Sequence, residues 1–166
     1  MVKKRQHKKK KVVAVSGGFD PLHIGHVRLL NEAKKLGEKL IVILNNDNWL
    51  RKKKGYTFMS EVDRKEILES FGAVDEVIVS GHRPNDPDRS VCRDLRKLRP
   101  DIFANGGDRT PADAARKTSP LNAEVALCRR LGIKIVFNVG KGGKLRSSSE
   151  LIARFRKGEK RAILKR

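Results

Sequence analysis

The sequence has few cysteines, few aromatic residues and no long apolar run. Its two cysteines, Cys92 and Cys128, stand singly in predicted helices and lack the C-x-x-C spacing of a zinc or redox site. Both are interpreted as small hydrophobic residues with reduced thiols, as is typical of a cytoplasmic protein. No apolar stretch reaches the roughly 18 residues of a membrane span, and no secretory signal follows the charged N-terminus. We therefore expect a cytoplasmic globular protein without a membrane partner.

Acidic residues are also scarce, with 19 Asp and Glu against 39 Lys and Arg, which gives a formal net charge of +20. Seven Lys/Arg and no acid lie in residues 1–11, and seven Lys/Arg accompany the single Glu159 in residues 154–166, which leaves +7 for residues 12–153. We predict two basic tails around one domain at 12–153. Contact of the tails with nucleic acid is the less favoured interpretation, because no interleaved aromatic residues or recognition motif accompany them.

The sequence does contain an alternation of strand and helix patterns. The repeats predict an α/β fold, a parallel sheet with helices on both faces. The basic stretch 51–55 is predicted as a mobile loop, and helices are predicted over 60–71 and 88–99. Short apolar runs rich in β-branched residues predict strands at 12–15, 40–44, 74–79, 101–105 and 133–137.

The stretch 17–26 joins the first predicted strand to the first predicted helix. Its glycines allow close approach of the backbone to a ligand, and a helix start presents free N–H groups that favour an anion. His23 and His26 are three residues apart and project from one side of the first turn. A metal pair, or two histidines without a function, are the alternatives at this spacing.

This stretch resembles the HxGH signature of the cytidylyltransferase-like nucleotidyltransferases, which include glycerol-3-phosphate cytidylyltransferase, the adenylyltransferase domain of ADP-heptose synthase and archaeal-type FAD synthase. The resemblance covers residues 12–153. It implies a Rossmann-like doubly wound parallel sheet of order 3-2-1-4-5. It also implies transfer of a nucleoside monophosphate from a nucleoside triphosphate to a phosphorylated acceptor, with release of pyrophosphate.

Two later segments resemble other parts of the family pattern. Gly106-Gly107-Asp108 follows the fourth predicted strand, and it is most similar to the heptose adenylyltransferases, which favours ATP. The stretch 140–149 joins glycines and cations to three serines at a helix start, as in a phosphate cradle, and resembles the second family signature. Gly72 stands where glycerol-3-phosphate cytidylyltransferases carry an arginine, which weakens the cytidine assignment.

The resemblance implies roles for individual residues. His23 and His26 would be catalytic, together with Lys53 or Lys54, which are both retained. Arg64 is a candidate for substrate binding; an ion pair with Glu61 on a solvent-exposed face is the alternative. Nucleotide contacts are expected from Gly17, Gly18, Phe19, Asp20, Gly25, Asn105, Gly107, Asp108, Arg146, Ser147, Ser148 and Ser149.

Substrates and partners are predicted only by class. The nucleotide is ATP or CTP, and the acceptor is a sugar phosphate or a polyol phosphate, with FMN as an alternative. Mg²⁺ is expected to be held mainly by the triphosphate, because no carboxylate cluster indicates a dedicated protein site. The resemblance suggests a homodimer. A basic nucleic-acid-binding module with a vestigial site, or a nucleotide sensor without turnover, are the rival functions.

Overall fold

A computed structural model describes residues 10–107, 111–116, 119–140 and 147–163. Strands and helices alternate along these residues, as the sequence predicts. The strands are β1 (Val12–Gly17), β2 (Lys39–Leu44), β3 (Glu76–Val79), β4 (Ile102–Gly106) and β5 (Lys134–Val139). The helices are α1 (Ile24–Lys34), α2 (Asp47–Lys54), α3 (Glu61–Glu69), α4 (Cys92–Leu98), α5 (Pro111–Ala115), α6 (Pro120–Leu131) and α7 (Ser148–Ile163).

The five strands form one parallel sheet in the order β3-β2-β1-β4-β5. The predicted fold and strand order are therefore confirmed. Strand β1 lies at the centre, where Val13 aligns with Leu40 of β2 and with Ile102 of β4. Because the strands are parallel, the segments that follow β1, β2 and β4 meet at one edge of the sheet, which we call the carboxyl edge.

Each face of the sheet has its own apolar core. Successive side chains of a strand point to opposite faces, so Val13 and Val15 pack with Leu30 of α1 and Leu68 of α3. Ala14 and Phe103 face the other way and pack with residues of α4 and α6. Helices thus cover both faces, which explains why the strand sequences are almost continuously apolar.

The largest departure from the sequence prediction is α2. Residues 51–54, predicted as part of a mobile loop, form the last turn of this helix, and Gly55 ends it with a positive φ of 80°. The helix forms because the side-chain oxygen of Asn46 accepts the N–H of Trp49 at 3.0 Å and because Leu50 is fully buried. The four consecutive cations at 51–54 are typical of an exposed loop, so the sequence pattern does not indicate this helix.

Smaller departures occur at the element boundaries. Helix α4 begins at Cys92 rather than at 88, because side chains of the preceding turn bind its backbone instead: Asp86 accepts the N–H of Asp88, and Asp88 accepts the N–H of Ser90. His82, in the segment that follows β3, is buried. Helix α7 runs through the predicted tail boundary at 154 as far as residue 163.

Replacement of Asn46 by alanine is expected to destabilise the protein by about 1–2 kcal/mol. The variant loses the cap of α2 and also the hydrogen bond from Asn46 Nδ2 to the carbonyl of His82, which is 2.7 Å long in a buried position. Denaturant unfolding measures the change. Asn48→Ala is the matched control, because Asn48 donates to the same carbonyl at 3.1 Å but caps no helix; an equal loss in both variants would contradict the capping role.

Candidate active site

The two histidines of the first signature form the start of α1. His23 is the N-cap residue, and its Nδ1 accepts the N–H of Gly25 at 3.2 Å. His26 Nδ1 accepts the N–H of His23 at 3.3 Å, which closes a reciprocal capping box. The two rings stack with centroids 3.8 Å apart and planes inclined by 18°. The two side chains therefore lie on one side of the first turn, as predicted. Their spacing of three residues also allows them to cap the helix.

These hydrogen bonds determine where the imidazole protons lie. An Nδ1 atom that accepts a hydrogen bond carries no proton, so a neutral ring must carry its proton on Nε2. Both histidines can consequently offer an Nε2–H donor. The ring of Phe19, which is buried, lies 4.9 Å from that of His26 and supports the stack from one side.

His26 remains neutral over a wide pH range. Burial, followed by the neighbouring charges of His23 and Lys54, lowers the pKa of His26 from 6.5 to about 3. The folded protein therefore binds its proton later than the unfolded chain as the pH falls. The neutral His26 ring thus contributes to the free energy of unfolding. This contribution is fully present above pH 6.5 and is lost as the pH falls toward 3.

We expect the His26 ring to stay neutral in the folded protein at pH 4.5. The measurement is an NMR titration of the imidazole Cε1–H signal in the folded protein. The unfolded protein in concentrated urea is the control, where His26 should titrate near its ordinary value of about 6.5. A midpoint near 6.5 in the folded state would show that burial and neighbouring charge do not act as described.

Local packing, in addition to the predicted approach of a ligand, explains why glycine occupies these positions of the first signature. A Cβ atom on Gly18 would lie 2.8 Å from Leu50 of α2, and one on Gly17 would lie 3.0 Å from the ring of Phe19. A Cβ on Gly25 would meet the ring of His23 at 3.0 Å. Close approach of a ligand to these three residues stays a prediction.

Asp20 organises the loop that follows α2. Its buried carboxylate accepts the N–H groups of Phe58 and Met59 at 2.9 and 2.8 Å, and its backbone carbonyl accepts a hydrogen bond from Lys54 Nζ at 2.7 Å. The carboxylate contacts lie within the protein. The structure thus gives Asp20 a positioning role, and a nucleotide contact by this residue stays a prediction.

The two candidate lysines occupy different environments. Lys54 is half-buried and close enough to His26 to influence the pKa of that ring. Burial lowers the pKa of the Lys54 ammonium itself, while the charge of Asp20 opposes this shift. Lys53 is exposed and lies over the ring of Trp49, with its Nζ 4.6 Å from the centroid. Of the two, Lys54 is the one beside the histidine pair.

Arg64 has no exposed surface and holds three segments together. Its guanidinium donates to the carbonyls of Gly18 at 2.6 Å, Asn45 at 2.8 Å and Met59 at 3.1 Å, and to the Asp47 carboxylate at 2.6 Å. The alternative of a solvent-exposed ion pair is wrong because the side chain is fully buried, and substrate binding by Arg64 stays a prediction. Glu61, the expected partner, instead accepts the N–H of Asp47 at 2.8 Å.

The second signature lies against the first. Ser147 accepts the N–H of Leu151 in the first turn of α7, and Ser148 Oγ donates to the carbonyl of Pro21 at 3.0 Å. The N-termini of α1 and α7 therefore meet at the carboxyl edge. Ser149 lies in the same first turn of α7, while the predicted contacts of Arg146 and Asp108 lie outside the described residues.

Two asparagines at the carboxyl edge carry buried polar atoms without a partner among the described residues. They are Asn45 Oδ1, just after β2, and Asn105 Nδ2, near the end of β4. The sequence predicts a nucleotide contact for Asn105 and no role for Asn45. The only sequence signal for Asn45 was its position directly after a buried strand. Gly107, next to this edge, has a φ of 71° that favours glycine.

The arrangement is suited to an anion with several charges. Two helix N-termini, two stacked imidazoles and the Lys54 ammonium share the edge of the sheet where ligands of doubly wound folds bind. Within the described part of the chain, no group of three or more His, Cys, Asp or Glu side chains could hold a metal ion. The described helices include none that is both long and apolar enough to cross a membrane.

The order of the five parallel strands, with helices on both faces, defines a Rossmann-like fold. A family model described as cytidylyltransferase-like matches residues 14–154, so the chain belongs to the cytidylyltransferase-like family. The crystal structure of the lipopolysaccharide core biosynthesis protein from Thermoplasma volcanium has a TM-score of 0.60 and 26% identity, covering 80% of this chain and 99% of that one.

Two kinds of curated relative are similar in sequence. The FAD synthase of Thermococcus sibiricus is 36% identical over 124 residues, which are 71% of this chain and 80% of the relative. The bifunctional protein HldE of Hydrogenovibrio crunogenus is 38% identical over 117 residues, which are 69% of this chain but 23% of the relative. The chain thus spans most of an FAD synthase and less than a quarter of HldE.

Proposed function

We propose that the protein transfers AMP from ATP to a phosphorylated small molecule and releases pyrophosphate. The observation that carries the proposal is the meeting of the His23–His26 pair with the N-terminus of α7 and with Lys54. These groups would surround a triphosphate on one side and a second phosphate on the other. A homodimer stays a prediction from family resemblance.

In the proposed reaction, an oxygen of the acceptor phosphate attacks the α-phosphorus of ATP in line with the bond to the β-phosphate oxygen. That bond breaks, and pyrophosphate leaves. Such transfers depend on positioning and on neutralisation of charge. The Nε2–H groups of His23 and His26 would donate to the α- and β-phosphate oxygens, and the serines that open α7 would hold the outer phosphates.

Lys54 is the favoured bridge between the acceptor phosphate and the α-phosphate. It lies beside the histidines, whereas the ammonium of Lys53 is over the Trp49 ring. Mg²⁺ would arrive with the triphosphate and neutralise its charge, held mainly by phosphate oxygens. The Asp20 carboxylate, which already accepts two backbone N–H groups, fits a structural role better than a metal ligand.

Two acceptor classes have separate support. The segment Gly106-Gly107-Asp108 and the HldE relatives favour ATP with a sugar phosphate. FMN is favoured by the FAD synthase relative, most of which the chain covers, and by the exposed ring of Phe58 in the loop tied to Asp20. A planar isoalloxazine could stack on such a ring. CTP with a polyol phosphate is the third combination.

The test is pyrophosphate release in the presence of Mg²⁺, with ATP, CTP, GTP or UTP against sugar phosphates, glycerol phosphate and FMN. We expect release to require an acceptor and to be fastest with ATP. Steady ATP hydrolysis at a rate that no acceptor changes would refute the transferase function. Nucleotide binding without turnover would indicate a sensor, and salt-sensitive binding of nucleic acid without pyrophosphate release would indicate a binding module. A preference for CTP would change only the base.

A further inference from the structure

Besides the burial of Ile152, two polar side chains of helix α7 contact the rest of the chain. Its first turn is joined to the first signature by the hydrogen bond from Ser148 Oγ to the Pro21 carbonyl. Two turns later the guanidinium of Arg156 lies over the ring of Tyr56, 4.9 Å from the centroid. At a rise of about 1.5 Å per residue, these points are roughly 12 Å apart, so α7 spans the distance between the first signature and the loop after α2.

That loop, residues 55–59, is tied to the same signature by other contacts. The Asp20 carboxylate accepts the N–H groups of Phe58 and Met59, and the Asp20 carbonyl accepts Lys54 Nζ. The contacts therefore form a closed ring that passes from Asp20–Pro21 to α7, across Arg156 to Tyr56, and back to Asp20. Within this ring of contacts, α7 begins at the serines of the second signature, and the loop 55–59 directly follows Lys54.

We propose that Tyr56 and Arg156 are positioning residues that fix the distance between Lys54 and the N-terminus of α7. The proposal rests on the proposed function, in which these two parts hold the acceptor phosphate and the triphosphate. Gly55 lies between Lys54 and Tyr56, and no atom lies within 4 Å of a Cβ built there. Local packing at Gly55 therefore does little to hold this end of the loop, and the Arg156–Tyr56 contact adds a restraint there to the hydrogen bonds that Asp20 accepts from Phe58 and Met59.

The kinetic test compares Arg156→Gln with Arg154→Gln. Arg154 is the matched control, because it is an exposed arginine of the same helix with no partner among the described residues. We expect Arg156→Gln to lower kcat roughly 3- to 10-fold while the KM for ATP changes less than about twofold. Arg154→Gln should match the wild type. Equal kinetics in the two variants would overturn the proposal.

The aromatic partner is tested in the same assay. Tyr56→Leu should reproduce the loss seen in Arg156→Gln, and the double variant should lose no more than either single variant, because both remove one contact. Tyr56→Phe keeps the ring face that receives the cation, so it should restore most of the activity. Additive losses, or a Tyr56→Phe variant as slow as Tyr56→Leu, would show that the two residues act separately.

Hydrogen exchange separates this proposal from the proposed function. Without any ligand, the amides of residues 55–59 should exchange roughly 3- to 10-fold faster in Arg156→Gln than in Arg154→Gln. If no acceptor supports pyrophosphate release in the wild type, the proposed function fails, and this measurement still decides whether α7 restrains the loop. Unchanged exchange in Arg156→Gln would refute the restraint whatever the enzyme does.

Discussion

Arg64→Met is expected to lower the free energy of unfolding by roughly 3–5 kcal/mol, the cost of breaking a buried ion pair from one side. Methionine fills much of the space of the arginine stem but donates no hydrogen bond. The change leaves three backbone carbonyls and the Asp47 carboxylate without the donor that they share. Urea unfolding, followed by circular dichroism, measures the loss.

Lys65→Gln is the matched control for Arg64. Lys65 is the next residue of α3, and its ammonium lies 3.0 Å from Glu69 in a pair whose side chains are 43% and 46% exposed. An exposed pair of this kind contributes about 0.3–0.5 kcal/mol. If Arg64→Met proved as mild as Lys65→Gln, the guanidinium would not be the connection between the first signature, β2 and the loop after α2.

His23→Asn and His23→Ala are both expected to lower kcat by roughly 10²–10³, the usual cost of losing one preorganised donor to the transition state. Only the alanine variant should also lose stability, by about 1 kcal/mol, because asparagine is a good N-cap residue and alanine is a poor one. The His23 ring both caps α1 and carries an Nε2–H. The pair of variants separates these two functions.

The measurements are steady-state pyrophosphate release with saturating substrates and thermal unfolding of the same preparations. A His23→Asn variant that keeps kcat within about tenfold of the wild type would show that His23 does not stabilise the transition state. In that case the histidine would be a capping residue alone. A stability loss shared by both variants would instead show that asparagine does not replace the Nδ1 acceptor.

The strands and the histidine pair could be predicted because their signals are local. Apolar β-branched runs mark β1 and β2, and the spacing of His23 and His26 marks one side of a helical turn. Helix α2 was missed because one asparagine cap and one buried leucine stabilise it, and neither gives a periodic pattern across eight residues.

The role of Arg64 could not be predicted for a different reason. Its acceptors are mainly backbone carbonyls, two of them at Gly18 and Asn45, 46 and 19 residues away in sequence. Every residue has a carbonyl, so no residue type signals where a buried guanidinium will find one. The sequence does not distinguish Lys53 from Lys54 for the same reason, since the distinction depends on a contact with the backbone of Asp20.

The Ser148–Pro21 hydrogen bond joins residues that are 127 positions apart. During synthesis β1 and the first signature leave the ribosome early. Strand β4, which pairs with β1 in the sheet, follows only at Ile102, and the N-terminus of α7 comes later still. A nascent chain therefore carries its histidine pair long before it carries the serines that open α7. Products truncated before α7 would keep the residues of β1 to β4 but lack the serines that the proposed function places on the outer phosphates, so that proposal predicts weaker ATP binding for them.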